Sequence, residues 1–114
     1  MQIHVVTDNH VTGSEGLQNH VESVINAALD RYSDRVTRVE VHLGDENGRK
    51  SGGEWCAIEA KLAGLQPVTV NASSGSIDQA LDAASDKLLR ALEHAIGRKE
   101  DSQPRASASG PPTL

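Results

Sequence analysis

The sequence predicts an α+β domain with the element order β-α-β-β-β-α, in which two helices pack on one face of a four-stranded sheet. Three observations support this fold class. Four segments alternate apolar and polar residues with a period of two, as half-buried strands do. Two longer segments repeat apolar residues at helical spacing. The chain has 114 residues, which suffices for one domain with a single core.

The first strand and the first helix follow from local patterns near the start of the chain. Residues 2–6 form a strand with Ile3 and Val5 on its inner side. Thr12-Gly-Ser-Glu15 fits a capping box, and the helical spacing behind it predicts a helix from about Ser14 to Tyr32. The apolar positions of this helix are Leu17, Val21, Val24, Ile25, Ala28 and Tyr32.

Residues 36–43, 54–63 and 68–72 form the remaining three strands, each with one apolar face. The Gly-rich segment 44–53 connects two of them as a polar hairpin loop, and residues 64–67 make the next turn. The first two strands flank a helix, which predicts a right-handed parallel crossover, and the later strands follow as an antiparallel meander. The inner faces carry Val39, Val41, Leu43, Cys56, Ile58, Ala60, Leu62, Val68, Val70 and Ala72.

The last helix is predicted from Ser76 to Lys99, with Ser76 as its N-cap and Gln79 at the capping-box position. At about 100° per residue, one stripe is apolar and its two flanks carry opposite charges. The apolar stripe consists of Ile77, Leu81, Ala84, Leu88, Ala91, Leu92 and Ala95. The basic flank consists of Lys87, Arg90, His94 and Arg98, and the acidic flank of Asp82, Asp86 and Glu93. A basic edge of this kind suits an anionic partner.

Composition limits the compartment and the partners. The formal net charge is −5, which argues against nonspecific coating of nucleic acid and leaves room for a local basic patch. Cys56 is the only cysteine, so no internal disulfide forms and a reducing compartment is expected. No basic segment precedes an apolar run near Met1, and no apolar run approaches the roughly 20 residues of a membrane span. We therefore expect a soluble cytoplasmic protein that does not contact membranes.

The domain is expected to span residues 1–99. Residues 100–114 are rich in Ser, Pro and Ala and show no apolar period, which predicts a disordered tail.

Three stretches resemble the bacterial ribosome hibernation factors, also called the sigma-54 modulation or ribosome-associated inhibitor family. Met1-Gln-Ile-His-Val5 resembles the family's first strand. Leu29-Asp-Arg-Tyr-Ser-Asp-Arg-Val36 and Val39-Glu-Val-His-Leu43 resemble the end of its first helix and its second strand. The most specific stretch is the last helix, with Asp86-Lys-Leu88 followed by Arg90. The resemblance covers residues 1–99 and fits the short form of the family.

The resemblance implies that the protein binds rRNA in the decoding region of the small ribosomal subunit and inhibits translation under stress by steric occupancy. By position, Lys87, Arg90 and Arg98 match basic residues that face rRNA in the family, and His94 stands where a lysine is common. Two basic positions on the first helix, His20 and Arg31, extend this patch if the two helices pack side by side.

The chain has fewer cations than the family pattern. Asn26 and Ala27 occupy a part of the first helix that is often rich in lysine, and Ala95, Ile96 and Gly97 interrupt the basic end of the last helix. Each phosphate contact that is lost lowers the affinity for RNA and its salt dependence.

Two other interpretations stay open beside rRNA binding. The basic flank also fits a solvated face whose charges pair locally, since Asp86 and Arg90 are four residues apart. Alternatively, the chain is a diverged protein-binding module of the same fold that has lost its rRNA partner. A continuous basic stripe across both helices favours rRNA binding, and acids that interrupt the stripe favour the protein-binding module.

Trp55 faces away from the apolar side of its strand, and three roles fit it: stacking on a base, packing beside a long side chain such as Lys61, or covering a subunit contact. The sequence does not indicate the oligomeric state.

The residue patterns give no sign of catalysis, of a cofactor, or of a small-molecule substrate. His4 and His42 lie on two predicted strands and could share the outer face of the sheet. The chain has no HxH or HExxH spacing, so we expect no metal site. Cys56 lacks an activating histidine pattern and fits a small buried residue. The acids on the last helix fit solvation better than acid–base catalysis.

Overall fold

The computed structural model describes residues 1–7, 15–45 and 53–102, with the backbone alone at 45 and 98–102. Its elements are β1 (Gln2–Thr7), α1 (Glu15–Ala28), β2 (Val36–Asp45), β3 (Glu54–Leu62), β4 (Val68–Ser74) and α2 (Ile77–Ser102). The four strands form one sheet in the order β1-β2-β3-β4. β1 runs parallel to β2, and the other two pairs are antiparallel. The predicted α+β fold and element order are confirmed.

The core lies between the inner face of the sheet and the two helices. β2 and β3 supply its centre, where Val41 and Ile58 are opposite one another in the register and fully buried. Alternate residues on the outer face remain partly exposed, which reproduces the period of two seen in the sequence. All aliphatic residues of the inner strand faces that the sequence predicts belong to this one cluster or pack against it.

α2 supplies the largest helical share of the core and lies against β3 and β4. Leu81, Ala84, Leu88 and Leu92 are fully buried, as the apolar stripe predicts. Ile77, Ala91 and Ala95 are partly buried, and Ala80, Ser85 and Ile96 take buried positions beside the stripe. The buried face is therefore turned slightly from the predicted one.

The N-terminus of α2 has the predicted N-cap. The Ser76 Oγ accepts a hydrogen bond from the Gln79 backbone N–H at 3.1 Å. The side chain of Gln79 contacts the preceding strand, where its Oε1 accepts a hydrogen bond from the Ser74 Oγ at 3.1 Å. The cap thus ties the start of α2 to the end of β4.

The end of α1 differs from the prediction. α1 ends at Ala28, whereas the sequence pattern predicts a helix through Tyr32. A 3-10 turn at Asp30–Tyr32 follows, and the Tyr32 N–H donates to the Leu29 carbonyl at 2.9 Å. Leu29 is fully buried, so the tighter turn keeps its side chain in the core while the chain turns towards β2. Residues 12–14 of the predicted capping box, with the predicted helix start at Ser14, lie outside the described residues.

The C-terminal prediction is described only in part. α2 continues past the predicted end at Lys99 to Ser102, and residues 103–114 of the predicted tail lie outside the described residues.

Gly64 in the turn between β3 and β4 has a φ of 77°, a conformation that glycine adopts without strain. No described helix is both long and apolar enough to cross a membrane.

Ser85 is the exception in the buried surface of α2. It is 4% exposed, and its Oγ has no hydrogen-bond partner among the described residues. A buried hydroxyl without a partner costs stability because it loses its hydrogen bonds to water.

We expect Ser85→Ala to leave the free energy of unfolding unchanged or to raise it by up to about 1 kcal/mol in urea denaturation. Leu88→Ala, at a fully buried position three residues on, is expected to lower it by roughly 2–5 kcal/mol. A large loss of stability in Ser85→Ala would contradict the assignment of an unsatisfied hydroxyl.

Cys56 is fully buried on the inner face of β3. Burial raises the pKa of its thiol from 9.0 to about 12. The folded state therefore holds the neutral thiol at pH values where the unfolded chain already forms thiolate. The contribution of the Cys56 thiol to the free energy of unfolding is fully present below about pH 9 and decreases as the pH rises towards about 12.

We expect Cys56 to resist a thiol reagent at neutral pH in the native protein and to react rapidly after unfolding in urea. The loss of stability above pH 9 should be less steep in Cys56→Ala than in the wild type. Rapid modification of the native protein would contradict the buried position.

Candidate nucleic-acid interface

α2 separates charges of opposite sign on its two flanks, and the fold gives each flank a different neighbour. The basic flank lies along the outer edge of β4, where the Lys87 Nζ donates a hydrogen bond to the Asn71 carbonyl at 2.9 Å. The acidic flank lies towards α1. The His20 Nε2 is 3.2 Å from the Asp78 Oδ1, and Arg31 forms an ion pair with Glu93. The acidic flank of α2 therefore faces α1, and the basic flank faces the edge of β4.

The exposed basic residues of this flank, besides Lys87, are Arg90 and His94. Both side chains are exposed, and among the described residues neither forms an ion pair. The local pair predicted between Asp86 and Arg90 is not formed. Arg98 lies within α2, but its side chain is outside the described residues. Arg90 and His94, beside the Lys87 ammonium, are the described cations of this flank that an anionic partner can contact.

Lys87 differs from these two residues because its ammonium is held by the sheet. β4 is an edge strand, and the Asn71 carbonyl that accepts from Lys87 belongs to that edge. A lysine at an edge strand hinders pairing with the strand of another molecule. An ammonium group has three donors, so this hydrogen bond leaves donors for a phosphate.

His20 and Arg31 do not join the basic flank. Arg31 lies on the 3-10 turn after α1, with its guanidinium 5.4 Å from the centroid of the Tyr32 ring and in contact with Glu93. His20 lies on α1 opposite Asp78. On the helical wheel of α2, Asp82, Asp86 and Glu93 lie between Asp78, the partner of His20, and the basic flank with Lys87, Arg90 and His94. Acidic side chains thus interrupt the stripe that would cross both helices.

The outer face of the sheet carries charged and aromatic groups that the sequence places there. Arg38 and Glu40 on β2 form an ion pair at 2.9 Å, and the His42 Nε2 lies 3.7 Å from Glu40. Trp55 is half-buried on the same face, next to Gly44. Among the described residues, no three His, Cys, Asp or Glu side chains are grouped closely enough to hold a metal ion.

Two contacts of the α2 flanks were not predicted from the sequence, one on the basic flank and one on the acidic flank. The hydrogen bond from Lys87 to Asn71 depends on which strand lies beside α2, and no local pattern encodes that neighbour. The ion pair between Arg31 and Glu93 joins residues that are 62 positions apart. A signal for the second contact exists, since Arg31 and Glu93 carry opposite charges on elements predicted to pack side by side.

Comparisons with known proteins agree with this fold. A family model described as sigma 54 modulation protein / S30EA ribosomal protein matches residues 4–100. The N-terminal domain of Protein Y from Thermus thermophilus superposes with a TM-score of 0.67 at 23% identity, over 82% of this chain and 98% of that chain. A ribosomal subunit interface protein from Coxiella burnetii superposes with a TM-score of 0.66 at 17% identity, over 85% and 99% respectively. At these identities, the structural likeness shows the fold alone. A search among curated proteins gave no significant match.

The ion pair between Arg31 and Glu93 gives a testable coupling. Both side chains are substantially exposed, at 64% and 42%, so water and salt screen the attraction. In a double-mutant cycle with Arg31→Gln and Glu93→Gln, we expect a coupling of about 0.2–1 kcal/mol in the free energy of unfolding at low salt. The coupling should decrease in 1 M salt, where the Debye length is roughly 3 Å. A larger coupling that salt does not change would contradict a solvent-screened pair.

Proposed function

Because the chain belongs to the sigma 54 modulation protein / S30EA ribosomal protein family, we propose that it associates with the ribosome and inhibits translation by occupying a site on the small subunit. The proposal names rRNA as the partner of the basic flank and steric occupancy as the mechanism. It requires no catalytic step, cofactor or small-molecule substrate. The protein would act in the cytoplasm, where ribosomes are, and under stress.

The observation that carries the proposal is the exposed basic flank on α2 of a member of this family. Arg90 and His94 extend into solvent beside the Lys87 ammonium, along one edge of the molecule. Cations in a row attract phosphate groups and release counterions when they bind, even on a protein with a net charge of −5. Arg98, which the sequence pattern assigns to the same flank, is proposed as a further contact.

His20 and Arg31 have a weaker role in this proposal than the sequence suggests. Each is placed beside a carboxylate, Asp78 or Glu93, and would have to leave it to contact a phosphate. The rRNA contact is therefore proposed for one flank of α2 and not for a stripe across both helices. Fewer phosphate contacts predict a shallow dependence of the affinity on salt.

The acids that interrupt the stripe favour a second candidate function. Asp82, Asp86 and Glu93 are exposed on α2, and only Glu93 is engaged in an ion pair among the described residues. A basic protein would meet this acidic flank with complementary charge. The second candidate is therefore a protein-binding module that has lost rRNA binding.

Co-sedimentation with ribosomes tests the first candidate. Arg90→Glu should strongly reduce the protein that sediments with the small subunit at moderate salt, because it replaces an exposed attraction for phosphate with repulsion. Combining it with Lys87→Glu should abolish binding. Lys61→Glu is the matched control, since this exposed lysine makes the same charge change on the outer face of β3, away from α2. We expect the control to bind like the wild type.

Glu93→Gln provides the opposite change. It removes an acid beside the basic flank and releases Arg31, so the variant should stay bound at a higher salt concentration than the wild type. If the wild type is absent from the small subunit at both low and moderate salt, the ribosome proposal is wrong and the protein-binding candidate is favoured. If the double variant with Arg90→Glu and Lys87→Glu binds as well as the wild type, the basic flank of α2 is not the contact.

A further inference from the structure

The outer face of the sheet carries one aromatic ring that the ribosome proposal does not use. Trp55 on β3 is opposite Gly44 on β2 and Ser73 on β4. A Cβ atom built on Gly44 would lie 2.2 Å from both Cε2 and Cζ2 of the indole. The ring therefore occupies the space above Gly44 that a side chain would fill. The absence of a side chain at position 44 leaves the space on β2 that the indole occupies.

Trp55 remains half-buried, so part of the indole is accessible to solvent. Single-stranded nucleic acid binders present aromatic rings that are fixed against a sheet and accessible to solvent, on which bases stack.

The surroundings of Trp55 suit a polyanion better than the rest of this face does. The described outer-face residues next to it in the register are His42, Ala57, Asn71 and Ser73, none of which carries a carboxylate. The carboxylates of the described outer face, Glu40 and Glu59, belong to the half of the sheet further from Trp55, and Glu40 is paired with Arg38. Among the described residues, the half of the outer face that contains Trp55 therefore has no carboxylate that would repel a phosphate.

The basic flank of α2 reaches this half of the sheet at the edge of β4. Lys87 donates to the carbonyl of Asn71, which is opposite Ala57 and diagonal to Trp55 in the register. Diagonal residues of neighbouring strands lie roughly 7–8 Å apart. The Lys87 ammonium and the indole thus stand on either side of β4, close enough for a short stretch of one nucleic-acid strand to contact both.

We propose that Trp55 is a base-stacking residue for single-stranded RNA whose phosphates follow Lys87 and Arg90 on α2. This inference rests on the proposed rRNA contact of α2 and extends it over the edge of β4 onto the sheet. The RNA strand would run along the basic flank of α2 and place one base over β4, on the exposed part of the indole. Stacking accepts any base, since every base has a π face, so the site selects unpaired RNA and not a sequence.

Trp55 is the only tryptophan of the chain, so its fluorescence reports on the site directly. We would titrate the full chain with a short oligoadenylate and, separately, with an RNA duplex of equal length. A saturable quench with the single strand and little change with the duplex is expected. Gly44→Ala is the informative variant, because its methyl group forces the ring off its position and keeps the fluorophore. We expect this variant to lose most of the quench.

Anisotropy of a labelled oligoadenylate gives the affinity for variants that lack the fluorophore. Trp55→Leu should weaken binding by about tenfold, and Trp55→Phe, which keeps an aromatic face, by much less. Lys87→Gln should weaken binding and lower its salt dependence. Thermal unfolding of each variant shows whether it is folded, and Trp55→Phe keeps the test valid if Trp55→Leu unfolds.

Ribosome co-sedimentation separates the two proposals. If the wild type sediments with the small subunit but oligoadenylate causes no saturable quench, the stacking role is wrong and the ribosome proposal stands. If oligoadenylate quenches but the protein does not sediment with ribosomes, the stacking role stands and the ribosome proposal is wrong. If Trp55→Leu abolishes sedimentation although oligoadenylate causes no quench, Trp55 contacts a protein, which also overturns the stacking role.

Discussion

The packing of α2 against β3 and β4 determines the other surfaces of this molecule. The chain has no phenylalanine, so the core depends on many aliphatic side chains brought into contact over a large area. α2 supplies four fully buried residues of its apolar stripe to that core, and the Gln79 side chain in its first turn accepts a hydrogen bond from Ser74 at the end of β4. Once this face is buried, the rotation of α2 is fixed. Its acidic flank must then lie towards α1 and its basic flank towards the edge of β4.

This rotation explains why an acidic protein can keep a basic edge. Carboxylates on the α1 side are placed where they meet the cations of α1 and of the turn after it, as Asp78 meets His20 and Glu93 meets Arg31. Arg90 and His94 stay exposed on the other flank. The same geometry limits the basic surface to one flank, since the acids lie between the two groups of cations.

The edge of β4 is where the two proposed contacts meet. Lys87 crosses from the helical layer to the sheet through its hydrogen bond to Asn71, and Trp55 lies diagonally beyond that residue on the outer face. Gly44 matters for a related reason, because only a residue without a side chain leaves space for the indole to lie on β2. Both features combine neighbours from different secondary-structure elements, so neither is visible in any single segment of the sequence.

The sequence by itself determined the fold class, the element order, the inner face of each strand and the sides of α2 that carry each charge. These are local properties: a period of two or of 3.6 residues is written in consecutive positions. Only the tertiary structure decided that α1 ends at Ala28 before a 3-10 turn, that Ser85 is buried, that Arg31 faces Glu93, and that Trp55 lies on Gly44. Each of these depends on which distant residue becomes a neighbour. That choice is made by the packing of whole elements, because burial of the shared core outweighs the local preferences of single side chains.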